Sequence, residues 1–558
     1  MKKWKTVNKI KNQKSREDII RILLENRGVR TKKEMEEFLD PKLEEVTLEN
    51  VGIDQEQVKK AIFRIEKAIE KNEKIIIYGD YDVDGISGTA ILWETIYKSY
   101  KNVIPYVPHR VNEGYGLSSK GISNIKSQIS NVKLIITVDN GIVANEAVEF
   151  ANKNGIDVVI TDHHVCSDKD PDAFAIIHTT KLCGAGVAYL LAQEIQNSKF
   201  KIQNYNSKVK SIDAHLELAA LATVADLVPL IGPSRAIVKF GIDALRKTKR
   251  PGLLALFERA KIKKEEIGVY EIGHIISPRL NATGRISHAL DSLRLICTKD
   301  KNRAESLADS LDETNKNRRL VTEESTIHAD LLLKQAGSNQ KFIFIHNKNY
   351  NQGVIGLIAS RLVETYYRPA VVVSEGEIYS KGSARSIAGF NMIAFLRGFK
   401  HLLVDAGGHP MAAGFTIETG KIEEFKTALI QHAGRVISDK ILEKTLKIDT
   451  EIDFSIISQD LYQEIQKLAP FGMGNPQPLF VSRKVIIENM RFVGDGKHVK
   501  FSLSQEGSEV FDAIAFGAGE TDFKFRIGDK IDIVYSIEKD EWNGREKIQL
   551  KIRDFKNN

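Results

Sequence analysis

"YGDYDVDG" (residues 78–85) sets three aspartates, Asp80, Asp82 and Asp84, at alternate positions between an apolar run and a glycine. The run before it, Ile75-Ile76-Ile77-Tyr78, has the length and composition of a buried parallel strand. The text after it, "GISGTAILWETIYKSY", carries apolar residues at helical spacing and small residues where a helix starts. The acids therefore fall on a strand-to-helix loop at the C-terminal edge of a sheet, where open α/β folds build their sites. Carboxylates this close repel one another, so either solvent screens them in a bare surface turn or a cation holds them. A calcium loop is excluded, because the glutamate that such a loop needs six residues after its glycine is Ile91 here.

Working outward, residues 74–240 alternate apolar strands with helices: "KIIIYG", "NVIPYV", "KLIITV" and "DVVIT". That alternation predicts a mostly parallel sheet covered on both faces. Residues 1–70 read as a charged helical extension, with "TKKEMEEFLDP" opening on a Thr cap. Residues 300–335 contain neither Gly nor Pro and predict a long polar helix that buries little, bridging two domains. A second α/β block follows, with "KFIFIHN" and "PAVVVSE" as strands. From about 475 short alternating strands, among them "VIIENMRFV", "KHVKFSL", "KIDIVYSIE" and "KIQLKIRDF", predict a terminal β-barrel of OB type.

The 558 residues suit three or four domains, and 42% hydrophobic with 28% charged residues is ordinary for a globular chain. A net charge of +7 is compatible with a nucleic-acid partner without being diagnostic of one. "MKKWKTVNKIKNQKS" lacks the apolar core of a secretory signal, and no stretch reaches membrane-spanning length. Three scattered cysteines, Cys166, Cys183 and Cys297, argue for a reducing cytoplasm and against structural zinc.

Two more strands end in ionisable groups: "VKLIITVDNG" delivers Asp139, and "GIDVVITDHH" delivers Asp162, His163 and His164. "LELAALATVADLVPL" sets Asp226 in apolar helical text, where a charge costs several kcal/mol unless paired or ligating. Oxygen ligands with one or two imidazoles suit Mn²⁺ or Mg²⁺. Two such ions are the usual apparatus of phosphate hydrolysis.

"GDYDVDG", "VDNG", "TDHH" and "VADLVP" resemble, in order, the four motifs of the DHH phosphoesterase family. "GSARS" (382–386) and "GGHPMAAGF" (407–415) are similar to the DHHA1 domain that follows it. "VPHRVNEGYGL" (107–117), "SPRLNATGR" (277–285) and "PFGMGNPQPLF" (470–480) are similar to stretches of the RecJ branch.

The resemblance implies a 1–70 extension, a DHH domain over 71–300, a connecting helix over 301–335, a DHHA1 domain over 336–445 and an OB-like domain over 446–558. It also implies a metal-dependent 5′-to-3′ exonuclease that takes single-stranded DNA to 5′-mononucleotides in recombination and repair. Two ions, Mn²⁺ or Mg²⁺, are implied, one on Asp82 and Asp139 with Asp80 nearby. The other falls to Asp84, Asp139, His163 and Asp226, and His164 faces the scissile phosphate. In related pyrophosphatases a histidine stands where this chain has Tyr78, which puts weight on Asp80. Arg110, Arg279, Ser383, Arg385 and His409 match phosphate-holding positions, with Arg285 competing with Arg279. A monomer is expected, working with a helicase and a single-strand-binding protein and with no membrane. A small-substrate phosphodiesterase of the same fold and a non-catalytic strand-binding relative are the alternatives.

Three features get structural readings. "RKTKRP" (246–251) is expected as a solvated helix end, Cys183 as a small buried residue, and Phe480, Phe492 and Phe501 as barrel core.

Overall fold

The computed structural model describes residues 2–8, 15–109, 113–114, 116–198, 214–337, 340–520, 525–542 and 545–557. It forms two compact units: residues 43–228 with 237–443, and residues 1–42 with 229–236 and 444–558.

The first unit opens on β1 (Lys74–Gly79), α1 (Val83–Tyr97), β2 (Val103–Tyr106), β3 (Val132–Val138), β4 (Asp157–Asp162) and β5 (Ala175–His178). The five strands are all parallel, in the order β2-β1-β3-β4-β5. Ile75, Ile76, Ile77, Leu134, Ile135 and Ile136 are fully buried, as strands covered on both faces must be. Because β2 lies on one side of β1 and β3 on the other, the winding across the sheet reverses between β1 and β3. That crevice is the topological switch point, and the loops after β1 and β3 both open into it.

Three further helices matter to the site: α2 (Gly184–Asn197), α3 (Leu216–Ala225) and α4 (Ser277–Ile286). Next comes α5 (Lys301–Ala336), the long helix expected from composition. It is not the lightly packed bridge predicted for it. Ala304, Ala308, Leu311, Ala329 and Leu333 are buried, as are the polar Asp312, Asn315 and Thr322. Small residues let neighbouring helices approach closely, so a sparse apolar text still makes a packed helix.

The second block of this unit contains β6 (Ile343–Asn347), α6 (Ile355–Tyr366), β7 (Ala370–Ser374), β8 (Tyr379–Arg385), β9 (Leu403–His409) and β10 (Ala412–Glu418). Its sheet runs β9-β10-β8-β7-β6, with only the β6–β7 pair parallel.

In the other unit the strands Phe480–Val493, His498–Ser504, Phe511–Ala515, Arg545–Asn557 and Lys530–Trp542 follow one another, and the last pairs back onto the first. The sheet closes into a five-stranded barrel, as an OB fold does. Phe480 and Phe501 are core residues, but Phe492 is 52% exposed, so the strand-period expectation fails for that ring. Across the ladder it opposes the buried Val499, on the core-facing side, but it stands one residue from the end of its strand, at the rim of the barrel.

The N-terminal segment also departs from the helical reading. Lys3–Thr6 is a strand, paired in parallel with Thr445–Ile448. Thr31 does cap its helix, in a capping box with Glu34. Arg235 is wholly buried, donating to the carbonyls of Phe38, Lys467, Ala469 and Pro470 and stacking on the Phe38 ring. Burial and the nearby Arg27 charge bring its pKa down to about 10.

Candidate metal centre

The loop after β1 is built around Asp82. It is the N-cap of α1, and its Oδ1 accepts from Asp84 N (2.9 Å) and Gly85 N (3.1 Å). Capping turns Asp84 inward onto the start of α2. There its two oxygens accept from Gly184 N (2.7 Å) and Ala185 N (2.6 Å). The helix N-terminus offers free amides and a positive dipole end to that carboxylate.

Asp139 follows β3 in a left-handed conformation (φ 63°), uncommon for any residue other than glycine. Gly184 makes the approach to Asp139 possible, since a Cβ there would sit 2.5 Å from the Asp139 Cβ. "CGAG" (183–186) thus supplies both close contact and amide donors, while Cys183 caps the helix from a buried position, as expected of it.

At the end of β4, Asp162 is an organiser. It accepts from Ile142 N (2.9 Å), His163 N (2.7 Å) and His164 N (3.2 Å), and pairs with His164 Nδ1 (2.8 Å). Burial opposes its charge, but His164 and these donors hold its pKa below the usual range. Asp226 does not lie within its helix. It is the C-cap of α3, with a side chain 30% exposed. A negative charge at a helix C-terminus is disfavoured by the dipole, a further reason for a cation there.

These pieces converge. His163 Nε2 lies 3.1 Å from Asp139 Oδ1, 3.6 Å from Asp226 Oδ2 and 3.7 Å from Asp84 Oδ2. Asp80, Asp82 and Asp139 present ligand oxygens within 4.8 Å of one another, and Asp84, His163 and Asp226 form a second such trio. Despite their short separation, Asp139 Oδ1 and His163 Nε2 lack hydrogen-bond geometry, and each is buried without a hydrogen-bond partner among the described residues. Two orphaned atoms aimed at one point fit a cation between them.

The electrostatics agree. Burial, then the charges of Asp84, Asp82, Asp80 and Asp226, push Asp139 well up, and burial and Asp84 raise Asp82. Asp226 rises to about 8 by burial, with Asp84 and Asp82 adding to it. Burial keeps the His163 ring neutral, leaving a nitrogen lone pair for ligation. The donor set, carboxylates with one imidazole and no thiolate, suits Mn²⁺ or Mg²⁺. Tyr78, at the position of the pyrophosphatase histidine, is no ligand. It is buried, donates to Gly116 O (3.1 Å) and stacks on Tyr106.

His164 faces the second α/β block. Burial lowers its pKa, but the bond and charge of Asp162, with Asp226 and Asp84, prevail and raise it to about 9. The His409 ring stacks on it at 6.2 Å between centroids. Arg385 donates to Ser383 Oγ (3.1 Å), and both side chains border the first turn of α6. A Cβ on Gly356 there would meet the Arg385 guanidinium at 2.8 Å and Ser383 Oγ at 3.1 Å.

Of the two competing arginines, Arg285 lies near the metal loop, where its charge favours ionised Asp82, and it reaches Gly353 O. Arg279 is held away, on Asp312 Oδ1 (2.9 Å) and Ile275 O (2.8 Å). Arg110 lies outside the described residues. "RKTKRP" is not merely a solvated helix end, because Arg250 is a partly buried hub bonded to Glu94, Glu217 and His215.

The model of the DHH family N-terminal domain matches residues 74–223, that of the DHHA1 domain residues 339–435, and that of the RecJ OB domain residues 448–554. The fold is thus that of a DHH phosphoesterase. The single-stranded-DNA-specific exonuclease RecJ of Salmonella typhimurium is 30% identical over 96% of this chain and 95% of its own length. The protein of that name from Bacillus subtilis is 36% identical over 89% of this chain, which spans 63% of the relative's length. A crystal structure of RecJ with Mn²⁺ from Thermus thermophilus superposes with a TM-score of 0.82 at 26% identity, covering 100% of this chain and 80% of that one. The chain belongs to the RecJ family.

Proposed function

We propose that this chain is a metal-dependent exonuclease that hydrolyses single-stranded DNA from the 5′ end to 5′-mononucleotides, serving recombination and repair. The observation that carries the reading is the pair of ligand trios sharing a buried crevice, in a chain matching relatives that bear this activity in their names. Asp80, Asp82 and Asp139 would hold one Mn²⁺ or Mg²⁺, and Asp84, His163 and Asp226 the other, with Asp139 common to both. Bound there, the ions supply an activated water and Lewis-acid polarisation of the phosphoryl oxygens.

The protein's own groups do the rest. Asp162 orients His164 through Nδ1 and keeps it charged, so its Nε2–H can donate to a phosphate oxygen. Asp84 is fixed by the α2 amides, so its carboxylate needs no reorganisation. Ser383, Arg385 and the amides of the first α6 turn form a donor set for a strand phosphate, with His409 beside His164. Such positioning supplies much of the acceleration in phosphoryl transfer. A helicase and a single-strand-binding protein are the expected partners, and a monomer in the cytoplasm is the expected state. Among the described residues no helix is long and apolar enough to cross a membrane.

The test is product analysis in Mn²⁺ on a 5′-labelled strand of a few dozen bases, beside a blunt duplex, a dinucleotide and pyrophosphate. Mononucleotides from the single strand, with the duplex resistant, are expected. Preferential cleavage of the dinucleotide or pyrophosphate would move the chain to the small-substrate class.

A further inference from the structure

The aspartate loop is held from outside as well as from within. A helix leaves its first amides without partners of its own, and an N-cap side chain reaches only the second or third of them. In α1 the Asp82 cap takes Asp84 N and Gly85 N, which leaves Val83 N, the first helical amide. Asn281, 198 residues further along the chain, takes that one: its Oδ1 accepts from Val83 N at 3.0 Å. The bond ties α4 to the residue that stands between Asp82 and Asp84.

A second contact of α4 falls on the other side of Asp82. A Cβ on Gly284 would stand 2.5 Å from Tyr81 O, so the helix lies directly on the loop backbone there. Asp82 is therefore bracketed, with Tyr81 against Gly284 and Val83 on Asn281. The support is itself firm. Ser292 Oγ, on the helix Leu290–Cys297, donates to Leu280 O (2.8 Å) and meets Thr283 Oγ1 (2.8 Å), and both hydroxyl residues are buried. Asp84 has a separate anchor in the amides of Gly184 and Ala185. Asp82, with Oδ1 engaged by its own helix, has its backbone placed by α4.

We propose that Asn281 is a positioning residue of the metal centre, acting through Asp82. By fixing the amide next to Asp82 it holds that carboxylate in place for the ion it would share with Asp80 and Asp139. Hydrogen-bond partners behind a metal ligand set its orientation, and removing them costs roughly ten- to a hundredfold in metal affinity or activity. The proposal rests on the exonuclease reading of this centre and adds to it a residue outside the ligand set.

The experiment titrates Mn²⁺ into the full chain without strand and follows the free ion by electron paramagnetic resonance. It compares the wild type with Asn281→Ala, Gly284→Ala and Asp82→Asn, and with Asp82→Asn combined with Asn281→Ala. Alanine is the best helix former, so Asn281→Ala keeps α4, and Gly284→Ala presses on the loop from its other side. Each of these two is expected to weaken one ion about tenfold and to leave the other, anchored through Asp84, unchanged. In the Asp82→Asn background Asn281→Ala should add nothing, as two residues acting through one ligand require. Single-turnover cleavage at saturating strand should fall about tenfold too, while the strand Kd in EDTA stays the same. Unchanged Mn²⁺ binding in either single variant, equal weakening of both ions, or a further loss in the Asp82→Asn background would overturn the inference. A wild type that binds two ions with these changes yet leaves the strand uncut would instead remove the exonuclease reading and leave Asn281 its role. A wild type that binds no Mn²⁺ would overturn both.

Discussion

Helix α1 carries a buried carboxylate towards each end, and the two are answered differently. Towards its C-terminus Glu94 takes Arg250 bidentately (2.8 and 2.9 Å), while Arg250 also donates to Glu217 (2.7 Å) and to His215 Nδ1 (2.9 Å). Burial disfavours the charge on Glu94, but Arg250 prevails and its pKa falls below the ordinary value. At its N-terminus Asp82 and Asp84 join Asp80, Asp139 and Asp226 with a neutral imidazole among them, and burial with mutual repulsion drives Asp82, Asp139 and Asp226 upward. A buried acid that has its own arginine is architecture. A cluster of acids whose carboxyls stay raised, with the Arg285 charge offsetting only part of their repulsion, is built for a cation from solution.

The comparison breaks most sharply at Asp139. Asp139→Asn keeps a residue that tolerates the left-handed backbone and removes one charge. Single-turnover cleavage of a labelled strand in Mn²⁺ should fall by roughly a thousandfold or more. Thermal unfolding without metal should show no loss of stability, because repulsion is relieved. Near-normal cleavage would sink the two-ion assignment.

At the other end the sign reverses. Arg250→Ala strands two partly buried carboxylates and should cost about 3 kcal/mol, measured by urea unfolding. A neutral effect would mean that the knot is not what holds Glu94 ionised.

His215 supplies a pH test of the same knot. Burial and the nearby Arg250 hold its pKa at about 4, against 6.5 for a free imidazole. Between those values the unfolded chain takes up a proton that the folded one refuses. Stability is therefore lost as pH falls from 6.5 towards 4, by up to about 3 kcal/mol. His215 also has positive φ (70°), so His215→Asn is the conservative probe. The pH 7 to pH 4.5 drop in unfolding free energy should be smaller in that variant, and an identical drop in both proteins would refute the assignment.

The smallest effect sharpens the open end. Mn²⁺ at a hundredfold excess over its dissociation constant should stabilise the wild type by about 2.7 kcal/mol. Asp139→Asn should gain much less. Equal stabilisation of both would place the bound ion elsewhere.

Much of the site is legible in the chain because its acids stand at the ends of apolar runs. A strand six or seven residues long reveals itself by composition, and the residue after it must lie at a sheet edge. Asp80, Asp82, Asp84, Asp139, His163 and His164 could all be read that way, and the structure brings them together with Asp226. The barrel was likewise announced by short alternating runs.

What could not be read are choices among distant partners. Local pattern sets which residues are apolar or charged, but not which amide meets which carboxylate a hundred residues away. Asp84 finding Gly184 and Ala185, Asp162 steering His164, Arg250 turning inward from a basic run, and Lys3–Thr6 pairing with Thr445–Ile448 are all of that kind. The sequence by itself determined the chemistry, because residue type fixes what can ligate or donate. Only the tertiary structure decided which charges are neutralised within the fold and which are left for a metal or a strand, because that depends on distance and burial.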